Sequence, residues 1–154
     1  MERNPWHTVR MALKYWKGAH TRHRLLYNLV FLPKYRRRIL KGKVAVRVKN
    51  IFYESCKTNQ WWIEKLKILP NHVHMLIQLH PTETVSQTVH YLKGGSSYLI
   101  RKEFPELEEF LWGDSFWFDG YFAETVGSQS FANIKKYIAE NEDSMPQKKK
   151  YPGL

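Results

Sequence analysis

Cysteine is almost missing from this 154-residue chain: Cys56 stands alone. No intrachain disulfide framework and no cysteine-built zinc site can therefore form. No apolar run approaches the ~20 residues that span a bilayer. Met1 to Arg10 carries Arg3, Pro5 and Arg10 where a secretory signal would need an apolar stretch. Acidic residues are scarce in the first third, where Glu2 is the only acid against fourteen Lys and Arg in residues 1–50. These absences predict a small soluble domain, cytoplasmic and without membrane association. The length suits one compact domain, and 43% hydrophobic with 15% aromatic residues exclude a wholly disordered chain.

What is present is mostly positive charge, unevenly placed. The formal net charge is +11, and residues 101–154 reverse the trend with ten acids against seven bases. A basic N-terminal third predicts a polyanionic partner bound in a salt-dependent way. Trp6, Tyr15, Trp16, Tyr27 and Tyr35 interleave those bases, a composition suited to stacking on unpaired bases. Single-stranded nucleic acid is the expected partner. An anionic membrane surface is the rival, but no clean apolar helical stripe supports it.

Patterning divides the chain into a basic arm (1–20), a folded domain (21–143) and a mobile basic tail (144–154). Within the domain, Arg22 to Leu32 reads as a strand stopped by Pro33. Val44, Val48, Ile51, Phe52 and Cys56 recur at helical spacing and predict a helix from about Lys41 to Thr58. Trp61–Leu69 and His72–His80 read as strands joined by Pro70-Asn71. Thr82 or Thr84 caps a helix carrying Val85, Val89, Leu92 and Leu99, which Gly94-Gly95 is expected to interrupt. Residues 103–114 read mostly as loop, Phe116–Thr125 as a fourth strand, and about Gln129–Asn141 as a last helix. The order β-α-β-β-α-β predicts an α+β, ferredoxin-like split βαβ fold. Its antiparallel sheet would carry helices on one face and leave the other open, with a further helix at the C-terminus.

The strand His72–His80 carries the clearest chemical signal. Period two sends Val73, Met75, Ile77 and Leu79 to the helices, and His72, His74, Leu76, Gln78 and His80 to the open face. Two imidazoles side by side can share one cation. An isolated H-x-H pair is more often two exposed histidines, and the strict alternation around it raises the metal reading to even terms. In the last helix, Asn133, Tyr137 and Asn141 share a polar strip beside the stripe Phe131, Ile134 and Ile138. On its own Tyr137 reads as an amphipathic boundary residue. With the histidines it becomes a nucleophile candidate, because a phenol with a pKa near ~10 needs a cationic setting to attack a phosphate at neutral pH. Asn141 is the third-ligand candidate, with Glu140 the runner-up.

Several ordered segments together resemble the single-tyrosine HUH transposases of the insertion-sequence-200-like group. They are Leu29-Val30-Phe31 with Lys34-Tyr35-Arg36, Leu69-Pro70-Asn71-His72-Val73-His74-Met75-Leu76-Ile77, and Tyr91-Leu92-Lys93-Gly94-Gly95-Ser96-Ser97. Leu111-Trp112-Gly113, Thr125-Val126-Gly127 and Lys136-Tyr137-Ile138 complete the set. The resemblance implies cleavage and rejoining of single-stranded DNA at insertion-sequence ends bearing hairpins, through a 5′-phosphotyrosine link and a free 3′-OH. It implies Mg²⁺ or Mn²⁺ on His72 and His74, Tyr137 as nucleophile, and a homodimer in which one subunit's tyrosine helix completes the other's site. The family often has glutamine where Asn141 stands and histidine where Asn28 stands. Lys34, Arg36, Arg37 and Lys93 are candidate DNA phosphate contacts. The alternatives are a domesticated palindrome-cleaving relative, a rolling-circle nuclease, or a non-catalytic ferredoxin-like domain binding single-stranded nucleic acid.

Overall fold

The computed structural model describes residues 15–127. A four-stranded antiparallel sheet forms from β3 (Leu25–Phe31), β4 (Trp62–Leu69), β5 (His72–Leu79) and β6 (Phe122–Thr125), in the order β4-β5-β3-β6. Helix α1 (Gly42–Thr58) links β3 to β4, and α2 (Val85–Glu103) follows β5. This is the expected split βαβ arrangement, with the first and third strands of the motif central.

The alternation in β5 fixes which side chains meet the helices. Leu29 opposes Met75, and Phe31 opposes Val73. These residues join Ile77 and Leu79 in one core with Val44, Val48, Ile51, Phe52 and Cys56 of α1 and Val89, Leu92 and Ile100 of α2. The helical stripe expected of residues 41–58 is therefore the buried stripe of α1. Burial among these side chains drives the Cys56 thiol pKa up to about 12, leaving it an inert packing group.

Four expectations need correction. The strand expected over Arg22–Leu32 is divided: β2 (Arg22–His23) pairs instead with β1 (Trp16–Lys17), so a small hairpin reaches into the segment read as an arm. Gly94-Gly95 does not interrupt α2. The Thr84 hydroxyl caps that helix by accepting from the Gln87 amide at 3.1 Å, and a buried stripe runs past the glycines through Leu92, Ser96 and Ile100. Two exposed glycines cost about 1 kcal/mol each against alanine, less than the packing on either side supplies. The loop expected over 103–114 contains a 3₁₀ turn at Pro105–Leu107 and a short helix α3 (Glu108–Leu111). The strand expected over Phe116–Thr125 shrinks to β6, because Phe116 and Trp117 are buried as anchors. The Trp117 indole donates to Ser96 Oγ at 2.9 Å, and its ring stacks on Phe52.

The face of the sheet opposite the helices is not open, which is the fifth correction. Leu26, Asn28 and Val30 of β3 are buried there together with His72, His74, Leu76 and Gln78 of β5. Three of those positions are apolar, so water was never a suitable cover for that face. Among the described residues no helix is long and apolar enough to cross a membrane.

Candidate functional site

β5 enters from the tight turn at Pro70–Asn71 and sends His72 and His74 to the same side, as period two requires. Their rings lie 4.9 Å apart between centroids, at 61°. Both are buried, at 0% and 3% exposure. Asn71 Oδ1 lies 2.7 Å from His72 Nδ1. An amide oxygen only accepts, so His72 Nδ1 is the donor in this pair. Burial lowers the His74 pKa to about 4, so this imidazole is neutral at pH 7.

A neutral His74 imidazole beside a His72 ring oriented through Asn71 forms a donor set that fits a divalent cation. Two nitrogens do not complete a coordination shell. Among the described residues no group of three or more His, Cys, Asp and Glu comes together. The remaining expected participants, Tyr137, Asn141 and Glu140, lie outside the described residues, as does the helix expected over 129–141.

Asn28, which stands where the resembling family often has histidine, sits on the same buried face, opposite Leu76 across β3 and β5. Among the described residues its Oδ1 has no hydrogen-bond partner, and neither does Gln78 Nε2. The face thus carries a row of buried polar groups on an otherwise apolar surface.

The four candidate phosphate contacts have different surroundings. Lys34, Tyr35 and Arg36 form a 3₁₀ turn just past the end of β3. Phe31, the last residue of β3, opposes Val73, so this turn lies at the His72 end of the sheet. Lys34 Nζ stands 3.8 Å from carboxylate oxygens of both Asp114 and Asp119. Arg36 is exposed. The Arg37 guanidinium lies 4.8 Å above the Trp112 ring and 5.9 Å from that of Tyr35. Lys93 has a second occupation: its ammonium donates to the Phe118 and Gly120 carbonyls at 2.5 and 3.1 Å. Burial lowers its pKa, opposed by nearby Asp119 and reinforced by Lys34.

Tyr35 lies within the basic turn, and its environment is wrong for a nucleophile. Its hydroxyl donates to Asp114 at 2.8 Å, and that bond raises the phenol pKa. The backbone there is strained: Tyr35 has φ 60° and ψ 16°, and Arg36 has φ 51°. Left-handed geometry at bulky residues costs roughly 1–3 kcal/mol each. Neither this strain nor the role of Asn71 carries a sequence signal beyond proximity to the motifs.

The chain matches the family model described as "Transposase IS200 like" over residues 21–141. It is 33% identical over 135 residues to the ISDra2 transposase TnpA of Deinococcus radiodurans, covering 88% of this chain and 96% of that one. It is 35% identical over 139 residues to the transposase for insertion sequence element IS200 of Salmonella typhimurium, covering 88% and 91%. Among solved structures, a Deinococcus radiodurans protein described as a transposase superposes with a TM-score of 0.69 at 29% identity, over 84% of this chain and 99% of that one. A REP-associated tyrosine transposase bound to a REP hairpin shares the fold, with a TM-score of 0.55 at 12% identity over 82% and 70%.

Proposed function

Because the chain belongs to the IS200-like transposase family, we propose that it cleaves and rejoins single-stranded DNA at hairpin-bearing insertion-sequence ends through a 5′-phosphotyrosine intermediate on Tyr137. The observation that carries this reading is the paired, buried imidazoles of His72 and His74, the latter held neutral by burial and the former with its Nδ1 engaged by Asn71.

His72 and His74 hold the cation in this reading, with Asn141 as third ligand and Glu140 as its competitor for that place. Mg²⁺ or Mn²⁺, if held there, would supply positive charge that polarises the scissile phosphate. Tyr137 Oη forms a bond to phosphorus as the bond from phosphorus to O3′ breaks. The phenolic proton is lost to solvent, and the leaving oxygen takes up a proton to become the 3′-OH. Rejoining is the same exchange reversed by that 3′-OH or another, so the linkage energy is kept and no nucleotide cofactor is consumed. Arg36 and Arg37 contact DNA phosphates at the His72 end of the sheet, while Lys34 faces Asp114 and Asp119 and Lys93 holds the Phe118 and Gly120 carbonyls. The protein works as a homodimer in the cytoplasm, one subunit's Tyr137 serving the other's histidines.

The test is incubation with hairpin-bearing single-stranded DNA and Mn²⁺, followed by denaturing electrophoresis. A covalent adduct is expected in the wild type and none in Tyr137→Phe. His72→Ala and His74→Ala are expected to lose cleavage and to keep most of the salt-dependent DNA affinity. DNA binding with no adduct at any suitable end would overturn the enzymatic reading in favour of a binding module.

A further inference from the structure

We propose that Tyr35, Arg37 and Trp112 form a stacking platform for one unpaired base of the DNA strand, an inference that rests on the DNA-processing reading above.

Large aromatic rings normally leave water on folding, yet Trp112 is 69% exposed and Tyr35 48% exposed. They are nevertheless arranged, with ring centroids 5.4 Å apart at 47° and the Arg37 guanidinium 4.8 Å from the Trp112 ring. Three left-handed, non-glycine residues converge here: Tyr35, Arg36 and Trp112, at φ 60°, 51° and 52°. Strain of this kind persists only where the surroundings fix it. Here the Arg36 and Arg37 amides bond to the Pro33 and Lys34 carbonyls, and the Tyr35 hydroxyl to Asp114. A chain that merely turned would place glycine at such positions.

The occupant follows from charge and position. Lys34 Nζ lies 6.0 Å from the Tyr35 ring and Arg37 reaches both rings, exposed Arg36 and Arg38 flank Arg37 in the chain, and Lys34 Nζ also stands 3.8 Å from carboxylate oxygens of Asp114 and Asp119. A cationic rim around exposed rings fits a base with its flanking phosphates rather than an apolar protein face. The platform adjoins the end of β3 that pairs with the start of β5, the end that carries His72.

Binding of single-stranded oligonucleotides, measured by fluorescence anisotropy across a salt series, tests the platform. Trp112→Ala should weaken binding about tenfold or more, with Trp112→Phe close to wild type and the salt slope unchanged in both. Arg37→Ala should weaken binding and flatten the slope. Replacing bases one at a time by abasic sites should reveal one position that matters to wild type and not to Trp112→Ala. Equal affinity of wild type and Trp112→Ala, in a wild type that binds and forms the Tyr137 adduct, would overturn the platform alone. Absence of both binding and adduct in wild type would overturn the function as well. Unchanged DNA affinity with an altered oligomeric state in Trp112→Ala would overturn the platform and make the surface a protein interface.

Discussion

Asn71 Oδ1 accepts a 2.7 Å hydrogen bond from His72 Nδ1, so the residue that closes the turn also orients the histidine that follows it. In the proposed site, turn chemistry and ligand chemistry would thereby be joined in adjacent residues. Removing the amide frees the imidazole to rotate and to exchange tautomers, both of which weaken a ligand.

Asn71→Ala is accordingly expected to lower Mn²⁺ affinity by about 10–100-fold. Electron paramagnetic resonance of free Mn²⁺ during a titration reads this directly. Asn71→Asp should retain the orientation, since a carboxylate accepts the same proton. Equal Mn²⁺ affinity in wild type and Asn71→Ala would remove Asn71 from the site.

Much of this arrangement is legible from residue order, and the illegible parts share one cause. The alternation from His72 to Leu79 assigns every side chain to the correct face, because the pleat has a fixed period of two. Whether a face is wet depends instead on what lies over it. Leu26, Val30 and Leu76, sharing the face of the histidines, were the available warning that it is buried. Gly94-Gly95 misleads for a related reason: local propensity argues for a break, while the cap at Thr84 and contacts of Leu92, Ser96 and Ile100 hold the helix together. The second occupation of Lys93 depends on where residues 118–120 run, which no local pattern encodes. Tyr137 and Asn141 lie outside the described residues.

Lys93 is expected to matter to stability before it matters to DNA. Its ammonium satisfies two backbone carbonyls of the segment leading into β6. Lys93→Met keeps the aliphatic stem and loses those bonds, at a cost of about 1–2 kcal/mol. Urea denaturation measures that loss. The dependence of DNA affinity on salt should stay as in wild type, whereas a phosphate contact would lower the slope by about one.

Gly94→Ala and Gly95→Ala are each expected to stabilise the protein by up to about 1 kcal/mol. Both residues are exposed within α2, and a Cβ at either would meet nothing within 4 Å. Thermal melts of the single and double variants check this. A variant that is more stable yet bound less tightly to DNA, or less dimeric, would show that a partner approaches the helix closely at that glycine.

Acid should destabilise the fold through His74. Its folded pKa is about 4 against an ordinary 6.5, because burial opposes the charged ring. Above pH 6.5 both folded and unfolded chains hold the ring neutral, and it contributes no pH dependence. Between pH 6.5 and 4 the unfolded chain takes up a proton that the folded chain refuses, so stability falls as pH falls; below pH 4 the loss levels off. The ceiling on this loss is about 3 kcal/mol. The His23 pKa is lowered as well, by burial and then by His80, and adds a loss of the same sign. Urea midpoints measured from pH 7.5 to 4 should show the decline, and His74→Gln, which cannot titrate, should flatten most of it. A His74→Gln profile as steep as wild type would mean that the ring is not held neutral by burial.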